Sequence, residues 1–506
     1  MLLTSIWVLD LLILFGVSIL FALIYSTRKY DYFKKRNMQY EKPVPLFGSI
    51  LPILSMRATI GEWLRQLYDS FEAPYFGIFV FDEPYIIIKS PEIIKLILVK
   101  DSNKFADRTV LAPKHNEMLS NMMFWQKSPD WKKVRAKMTP VFSSGKLKGM
   151  LPIINDVAVE LNQYIRQNLG KLETKEVTAK YSTDVISKCA FAIDPHSFRN
   201  DMNEFRKVGK VFFEFTWRNS FVQSLYFFKQ NWATTLRLEF FEKSAFTFLR
   251  GIFWKAIENR QQTNVKRNDL IDIIVEMRNN KDLCDELNFD GDKVVAQAVQ
   301  FFVAGYETSS STLSFTLYEL SLQPKIQTKL REEILNNIKQ YNGITYEGLK
   351  QMKYMDMCIY ETLRKYPVLP FLDRRCNEDY RIPGTDLIIQ EGMPVYIPMM
   401  ALHYDEKYFP EPEKYDPERF VEKNSHNVNG LYYMPFGEGP RACIGERFGM
   451  LGVKIGLSHI LSEFVLERSP DTPVPVKFEP KSFILQSTVG LPLTFREYHP
   501  TTTYDN

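Results

Sequence analysis

Residues 436–449 read FGEGPRACIGERFG and run on into MLGVKIGLSHIL. The second part has helical periodicity, so Cys443 falls just before or at a helix N-terminus. Gly437, Gly439 and Gly445 let the backbone bend tightly, and Pro440 stiffens the turn. A loop of this kind points a cysteine outward and surrounds its sulfur with backbone N–H groups. Those donors and the helix dipole favour the thiolate, and Arg441 adds a cation two residues away. A cysteine without such context is ordinarily a buried structural thiol. Here Phe436, Gly439, Arg441, Cys443 and Gly445 form a pattern of five fixed positions in ten residues.

The rest of the chain bounds what that loop belongs to. It has 506 residues, 64 basic and 60 acidic, for a net charge of +4. That balance gives no global reason to expect nucleic acid. Length alone suggests about three domains. Gly (23) and Pro (28) are near average usage, which excludes collagen-like, disordered and low-complexity classes. Cys189, Cys284, Cys358, Cys376 and Cys443 are odd in number and scattered, with no C-x-x-C. They point to a reducing compartment and to neither a zinc site nor a disulfide scaffold. The 14% aromatic share fits either a large apolar cavity or a heavy core.

Residues 1–27 carry one charge, Asp10, and Leu11–Tyr25 carries none. This stretch is long enough to span a bilayer as a helix of about 20 residues. Arg28, Lys29, Lys34, Lys35, Arg36 and Lys42 follow it, against Asp31 and Glu41. A cleaved signal peptide would want its basic residues first and a small-residue cleavage site after. The order here predicts an uncleaved single span with the basic side in the cytoplasm. Residues 37–52 hold Pro43, Pro45, Gly48 and Pro52 and read as a stiff, non-helical neck. The expected division is an anchor at 1–27, a basic and proline-rich neck at 28–52, and one catalytic domain at 53–506.

Residues 75–90 hold two β-rich runs split by Asp82-Glu83-Pro84, a hairpin signal. From about 91 to 365 the pattern is mainly helical. Residues 380–400 and 473–497 are β-like again. The expected class is mainly α with small β-sheets, an α+β architecture. Segment 211–241 is dense in Phe, Trp and Tyr. It reads as core aromatics, or as a mobile roof over an apolar pocket that touches the membrane.

Four further motifs precede the cysteine in order. AGYETSSS at 304–311 lies in a long apolar helical run from about Asp292 to Leu322. Ala304 and Thr308 share a face, and Gly305 is small enough for backbone to approach a flat cofactor. Glu361 and Arg364 are three apart on a helix, and YDPERF follows at 415–420. Trp131 and Arg135 are four apart on another helical face. Taken singly, each has an ordinary reading as a surface ion pair or a buried helix.

Together with F-x-x-G-x-R-x-C-x-G, these motifs resemble the cytochrome P450 family over essentially the whole chain after the anchor. AGYETSSS, ETLRKYPVLP and PFGEGPRACIGERFG look most like insect members that metabolise foreign compounds, and are similar to vertebrate drug-oxidising relatives. The resemblance implies the P450 fold with an N-terminal transmembrane helix and haem b held by the Cys443 thiolate. It implies that Glu307 and Thr308 deliver protons for oxygen activation. It implies that Trp131, Arg135, Arg108, Arg374 and Arg441, with Phe436 in the cysteine loop, bind the haem, Arg374 being chosen over Arg375 by counting from E-x-x-R. Glu361, Arg364 and Arg419 would form a buried triad, read as a folding and haem-incorporation clamp. By family position the pocket would be lined by Phe124, Phe301, Ala304, Val368, Leu369, Phe371, Phe483 and Ile484, apolar residues that suit a lipophilic small molecule.

There is no Rossmann or flavin fingerprint at a strand–helix turn, so electrons should come from another protein. The resemblance implies an NADPH-cytochrome P450 reductase, with cytochrome b5 as an accessory donor, at the endoplasmic reticulum membrane with the catalytic domain cytosolic. Lys132, Lys133 and Lys137 offer a basic docking face or a solvated one. Two functions stay open: a monooxygenase of a xenobiotic, plant toxin, insecticide or endogenous lipid, and an electron-independent haem-thiolate isomerase or sensor. The intact Glu307–Thr308 pair favours the first.

Overall fold

The computed structural model describes all residues except 1–6, 111–112, 201–202, 264, 268, 280–289, 422–430 and 501–506. Its first element is the helix Trp7–Thr27. Trp7, Phe15 and Phe21 are 65%, 66% and 68% exposed, and the helix is long and apolar enough to cross a membrane. The neck that follows is docked rather than free. Arg28 pairs with Asp82 at 3.1 Å. Phe33 is fully buried against Phe79 and Tyr40, over Gly77, where any Cβ would strike its ring at 2.5 Å. The neck is also not wholly non-helical. Leu51–Leu54 is a short helix with Pro52 in its first turn, where a missing N–H costs no hydrogen bond.

Among the described residues nine strands form three small sheets, ordered β1-β2-β7-β4, β3-β9-β8 and β5-β6. The strands are β1 Tyr75–Val80, β2 Glu83–Ile88, β3 Gly170–Glu173, β4 Leu372–Arg375, β5 Tyr380–Arg381, β6 Ile388–Ile389, β7 Pro394–Ile397, β8 Phe464–Arg468 and β9 Pro492–Glu497. The β1–β2 hairpin turns one step earlier than its sequence suggests. Val80 pairs with Glu83 and Phe79 with Pro84, so Phe81 and Asp82 make the turn. Pro84 is tolerated because β7 reaches β2 only at Ile86 and Ile87. Of 473–497, only Pro492–Glu497 is a strand.

Helices fill the remainder. The central helix Asp292–Leu322 packs along Thr174–Phe191, which is buried over nearly its full length. Gly305 sits at this crossing, where an added Cβ would meet Ile186 Cδ1 at 2.5 Å. Its smallness serves helix packing, not approach to a cofactor, because Ala304 and Thr308 take the cavity face. Helix Glu446–Glu463 also lies against the central helix, with Gly456 close to Leu313 and Tyr181. That packing brings the loop before Glu446 up to the central helix and creates the main cavity between them.

Candidate active site

The loop reaches Cys443 through a tight series of backbone bonds. Gly437 N–H donates to Met434 O, Cys443 N–H to Phe436 O and Ala442 N–H to Gly439 O, at 2.8, 2.8 and 3.0 Å. Gly437 and Gly439 both have φ of 73°. Gly439 is fixed by space as well, since a Cβ there would lie 1.8 Å from Leu98 O. Cys443 stands two residues before the N-cap, Gly445. Its sulfur opens into a cavity of about 350 Å³. The protein packed around it still raises the thiol above its ordinary pKa. The Gly445 N–H and the charges of Arg135 and Arg108 pull the other way.

Around this end of the cavity stand four guanidinium groups, Arg108, Arg135, Arg374 and Arg441, together with Trp131 and Phe436. Arg108 pairs with Asp373 at 3.0 Å. Arg135 donates to Ala442 O at 2.7 Å, tying its helix to the cysteine loop. Arg441 stacks on Trp131 at 3.8 Å, donates to Ala106 O and Gln126 O at 2.8 Å, and lies 3.5 Å from Asp107. Arg374 is 2% exposed, and among the described residues its side chain donates only to Asp373 O. Burial and the neighbouring Arg108 push Arg374 down to about 9, and burial, Arg108 and Arg374 do the same to Arg441. Four cations against Asp373 and Asp107 leave two positive charges in excess. A flat cofactor with two carboxylates and an axial thiolate fits this donor set, and haem has that shape and charge. Arg375 lies outside the cavity, so of the doublet only Arg374 meets it.

The central helix contributes Gln300, Val303, Ala304 and Thr308 to the same cavity. Thr308 Oγ1 donates to Ala304 O at 2.7 Å, which leaves its lone pairs free for a donor in the cavity. Glu307 does not line the cavity, and it is not a solvent-facing residue either. It is 3% exposed and held by Lys175 Nζ at 2.7 Å, Gln486 Nε2 at 2.6 Å and Ser311 Oγ at 3.3 Å. Lys175 also donates to Ser310 and Ser311, and its side chain is 23% exposed. Burial lowers the Lys175 ammonium, and Glu307 opposes that shift.

Of the eight pocket residues expected, Phe124, Ala304, Val368, Leu369, Phe483 and Ile484 line the cavity, while Phe301 and Phe371 do not. Phe301 is one helical step from the cavity face, stacks on Phe142 and meets Phe448 edge to face. Phe371 is buried between Tyr396 and Phe227. The aromatic segment supplies what the expected set lacked. Phe212, Phe213, Phe215, Phe227, Phe240 and Phe241 roof the cavity. On its other side Trp217, Phe221, Trp232 and Leu236 are more than half exposed. Both readings of 211–241 therefore hold part of the truth, as rings T-stack into core while their faces close the pocket.

Away from the cavity, Arg364 grips Glu361 with two bonds, 2.7 and 2.9 Å, both side chains fully buried. Arg419 Nε approaches Glu361 at 3.4 Å. His403 completes the cluster and was not visible in any motif: its carbonyl accepts from Arg364 at 2.9 Å. Lys132 and Lys133 are exposed, whereas Lys137 is half-buried.

The cytochrome P450 family model matches residues 38–493. The chain is 42% identical to cytochrome P450 6k1 of Blattella germanica, over 96% of this chain and 97% of that one. It is 40% identical to cytochrome P450 6j1 of the same insect, over 94% and 95%, and 38% identical to probable cytochrome P450 6g2 of Drosophila melanogaster, over 96% and 98%. With the cysteine loop, the arginine cradle and the helical fold in one chain, this likeness makes the protein a member of the cytochrome P450 family and a monooxygenase-type oxidoreductase.

Proposed function

We propose that the protein is a membrane-anchored haem-thiolate monooxygenase that inserts one oxygen atom into a lipophilic small molecule, with electrons from NADPH through a separate reductase. The observation that carries this reading is the meeting of Cys443, the arginine cradle and Thr308 in one aromatic-roofed cavity. Cys443 would hold the iron, and Trp131, Arg108, Arg135, Arg374 and Arg441 the propionate side. Haem, when bound, supplies the centre at which dioxygen is reduced, one atom going to substrate and the other to water. The chain's own residues then exclude bulk water, orient the substrate and position protons. The test is twofold. Reduced, carbon-monoxide-bound protein should have a strongly red-shifted Soret band, and product should form only with reductase and NADPH. Turnover of hydroperoxides without electrons would instead favour the isomerase reading.

The relay assignment makes its own prediction. The Thr308 hydroxyl spends its proton on Ala304 O and offers lone pairs to a proton-carrying water. Behind the cavity wall the neighbouring Glu307 is paired with Lys175, whose side chain is 23% exposed, and we read this pair as the relay's outer part. Thr308→Ala should keep haem, fold and substrate binding, while product per NADPH falls and hydrogen peroxide rises. A water can take the hydroxyl's place. The loss should therefore stay below the roughly 10²–10⁴ that a positioned acid–base group contributes. Unchanged coupling would leave Thr308 as a helix residue only.

The apolar N-terminal helix and the likeness to cytochrome P450 relatives support a place at the endoplasmic reticulum membrane with the catalytic domain cytosolic. Deleting residues 1–27 should leave haem binding intact. The shortened protein should wash from membranes with alkaline carbonate, which the full chain resists. At neutral pH part of it should stay bound through Trp217, Phe221, Trp232 and Leu236. A full-length protein recovered soluble, secreted and N-terminally shortened would mean the helix is a signal peptide.

A further inference from the structure

The Arg374-Arg375 doublet serves two cavities. Successive residues of a strand point to opposite faces. In β4, Arg374 therefore enters the haem cavity and Arg375 enters a second one, of about 340 Å³. That volume falls within the ~300–1,000 Å³ of small-molecule sites. The second cavity lies at the foot of the anchor: Lys29, two residues beyond the helix Trp7–Thr27, lines it, as do Lys229 and Arg375.

Its charges do not cancel. Lys229 is held at 2.7 Å by both Asp82 and Glu83, and Arg28 also pairs with Asp82. Arg375, half-buried, makes no side-chain hydrogen bond or ion pair among the described residues, and neither does Lys29. Lys29, Lys229 and Arg375 line the cavity with Glu83 and an exposed Glu391, three cations to two acids, and the neighbouring Arg28–Asp82 pair adds no net charge. A half-buried guanidinium whose donors meet no protein acceptor among the described residues is open to an anion. Its planar fork takes two oxygens of one phosphate at once. A basic residue just beyond a membrane span lies at the level of lipid headgroups.

We propose that this cavity binds a phosphate ester, with Arg375 as its fork and Lys29 as a second cation, so that the anchored domain is seated on an anionic headgroup. The seating clause rests on the anchor reading; the phosphate site does not.

The test uses full-length holoenzyme in non-ionic detergent, titrated by calorimetry with short-chain dihexanoyl phosphatidic acid and, separately, with inorganic phosphate. Phosphatidic acid should bind saturably at one site per chain. Arg375→Gln should weaken it roughly five- to tenfold with the carbon-monoxide spectrum unchanged. Lys29→Gln, on the surface and free of internal bonds, should weaken it in the same direction and carries the test if Arg375→Gln fails to hold haem. Tighter binding of the lipid than of phosphate identifies the headgroup as the source. Equal binding identifies free phosphate. Non-saturable binding, or wild-type affinity in both variants, overturns the proposal.

Discussion

Cys443→Ser should yield a folded protein with no red-shifted carbon-monoxide band and no monooxygenase turnover. The loop does not depend on the sulfur for its shape. Its bends are set by Gly437 and Gly439, by the Cys443 N–H bond to Phe436 O and by the Arg135 bond to Ala442 O. What serine removes is a soft, polarisable ligand that ionises when a metal binds it. Its hydroxyl stays neutral in the same surroundings, and the electron push that favours O–O cleavage is gone. The contrast lies within the chain. Cys189, Cys358 and Cys376 are at most 1% exposed, stand outside the cavity, and have thiols raised first of all by burial. Serine at any of them should keep the spectrum; at Cys189 and Cys358 it should lose about 1–3 kcal/mol of stability, the cost of burying a hydroxyl that lacks a full partner, and less at Cys376, whose Sγ donates to Glu378 O at 2.9 Å. The check is the reduced carbon-monoxide difference spectrum of each single variant. A red-shifted band surviving in Cys443→Ser would remove Cys443 as the ligand. Cys284 lies outside the described residues.

How much of this was legible in the sequence depends on how local each cause is. The cysteine loop is local: three glycines, a proline and a helix start within a dozen residues carry its geometry, so it reads directly. The face of the central helix that meets the cavity is also local, since Ala304 and Thr308 are one turn apart. The direction of Glu307 is not. It is set by Lys175 from the helix Thr174–Phe191 and by Gln486 near the C-terminus, partners 132 and 179 residues away in sequence. No spacing rule reaches that far. Strands β3, β4 and β8 escaped for a related reason. Gly170–Glu173 alternates over only four residues, too short a run to announce a strand, and is held by its pairing with β9. Family position offers Phe301 and Phe371 for the pocket, but one residue of backbone phase decides whether a ring faces the cavity or the core behind it. The roof was legible as composition only, because a dense aromatic segment cannot say which rings point in.

Arg364→Met should be the most damaging substitution remote from the cavity. Arg364 is wholly buried, and its fork satisfies both oxygens of Glu361 as well as the carbonyls of His403 and Pro412. Burial by itself pushes the Glu361 carboxyl up, and Arg364 is the first group holding it down. Removing one partner of such a pair leaves an uncompensated charge and costs about 3–5 kcal/mol, a large part of the ~5–15 kcal/mol that holds a typical domain folded. The damage should also reach the cysteine loop. His403 is buried and pushed down to about 3, chiefly by burial and by Arg364, so its ring is neutral. One ring nitrogen meets Arg364 O at 3.2 Å, and the other accepts the Met434 N–H at 3.3 Å. Met434 O in turn accepts the Gly437 N–H that opens the loop. Arg364→Met should therefore give protein with little haem and a strongly lowered unfolding midpoint. Arg364→Lys should be nearly as poor, because one ammonium cannot serve four acceptors in a plane. The double variant Glu361→Leu/Arg364→Met should recover part of the loss, since it removes the orphaned charge but still takes a donor from the carbonyls of His403, Pro412 and Lys414 and the acceptor from the Asp416 N–H. Haem content and chemical unfolding of the singles and the double close the cycle. Full haem and an unchanged midpoint in Arg364→Met would mean that the pair is an ordinary buried contact and that the cysteine loop is held by other bonds.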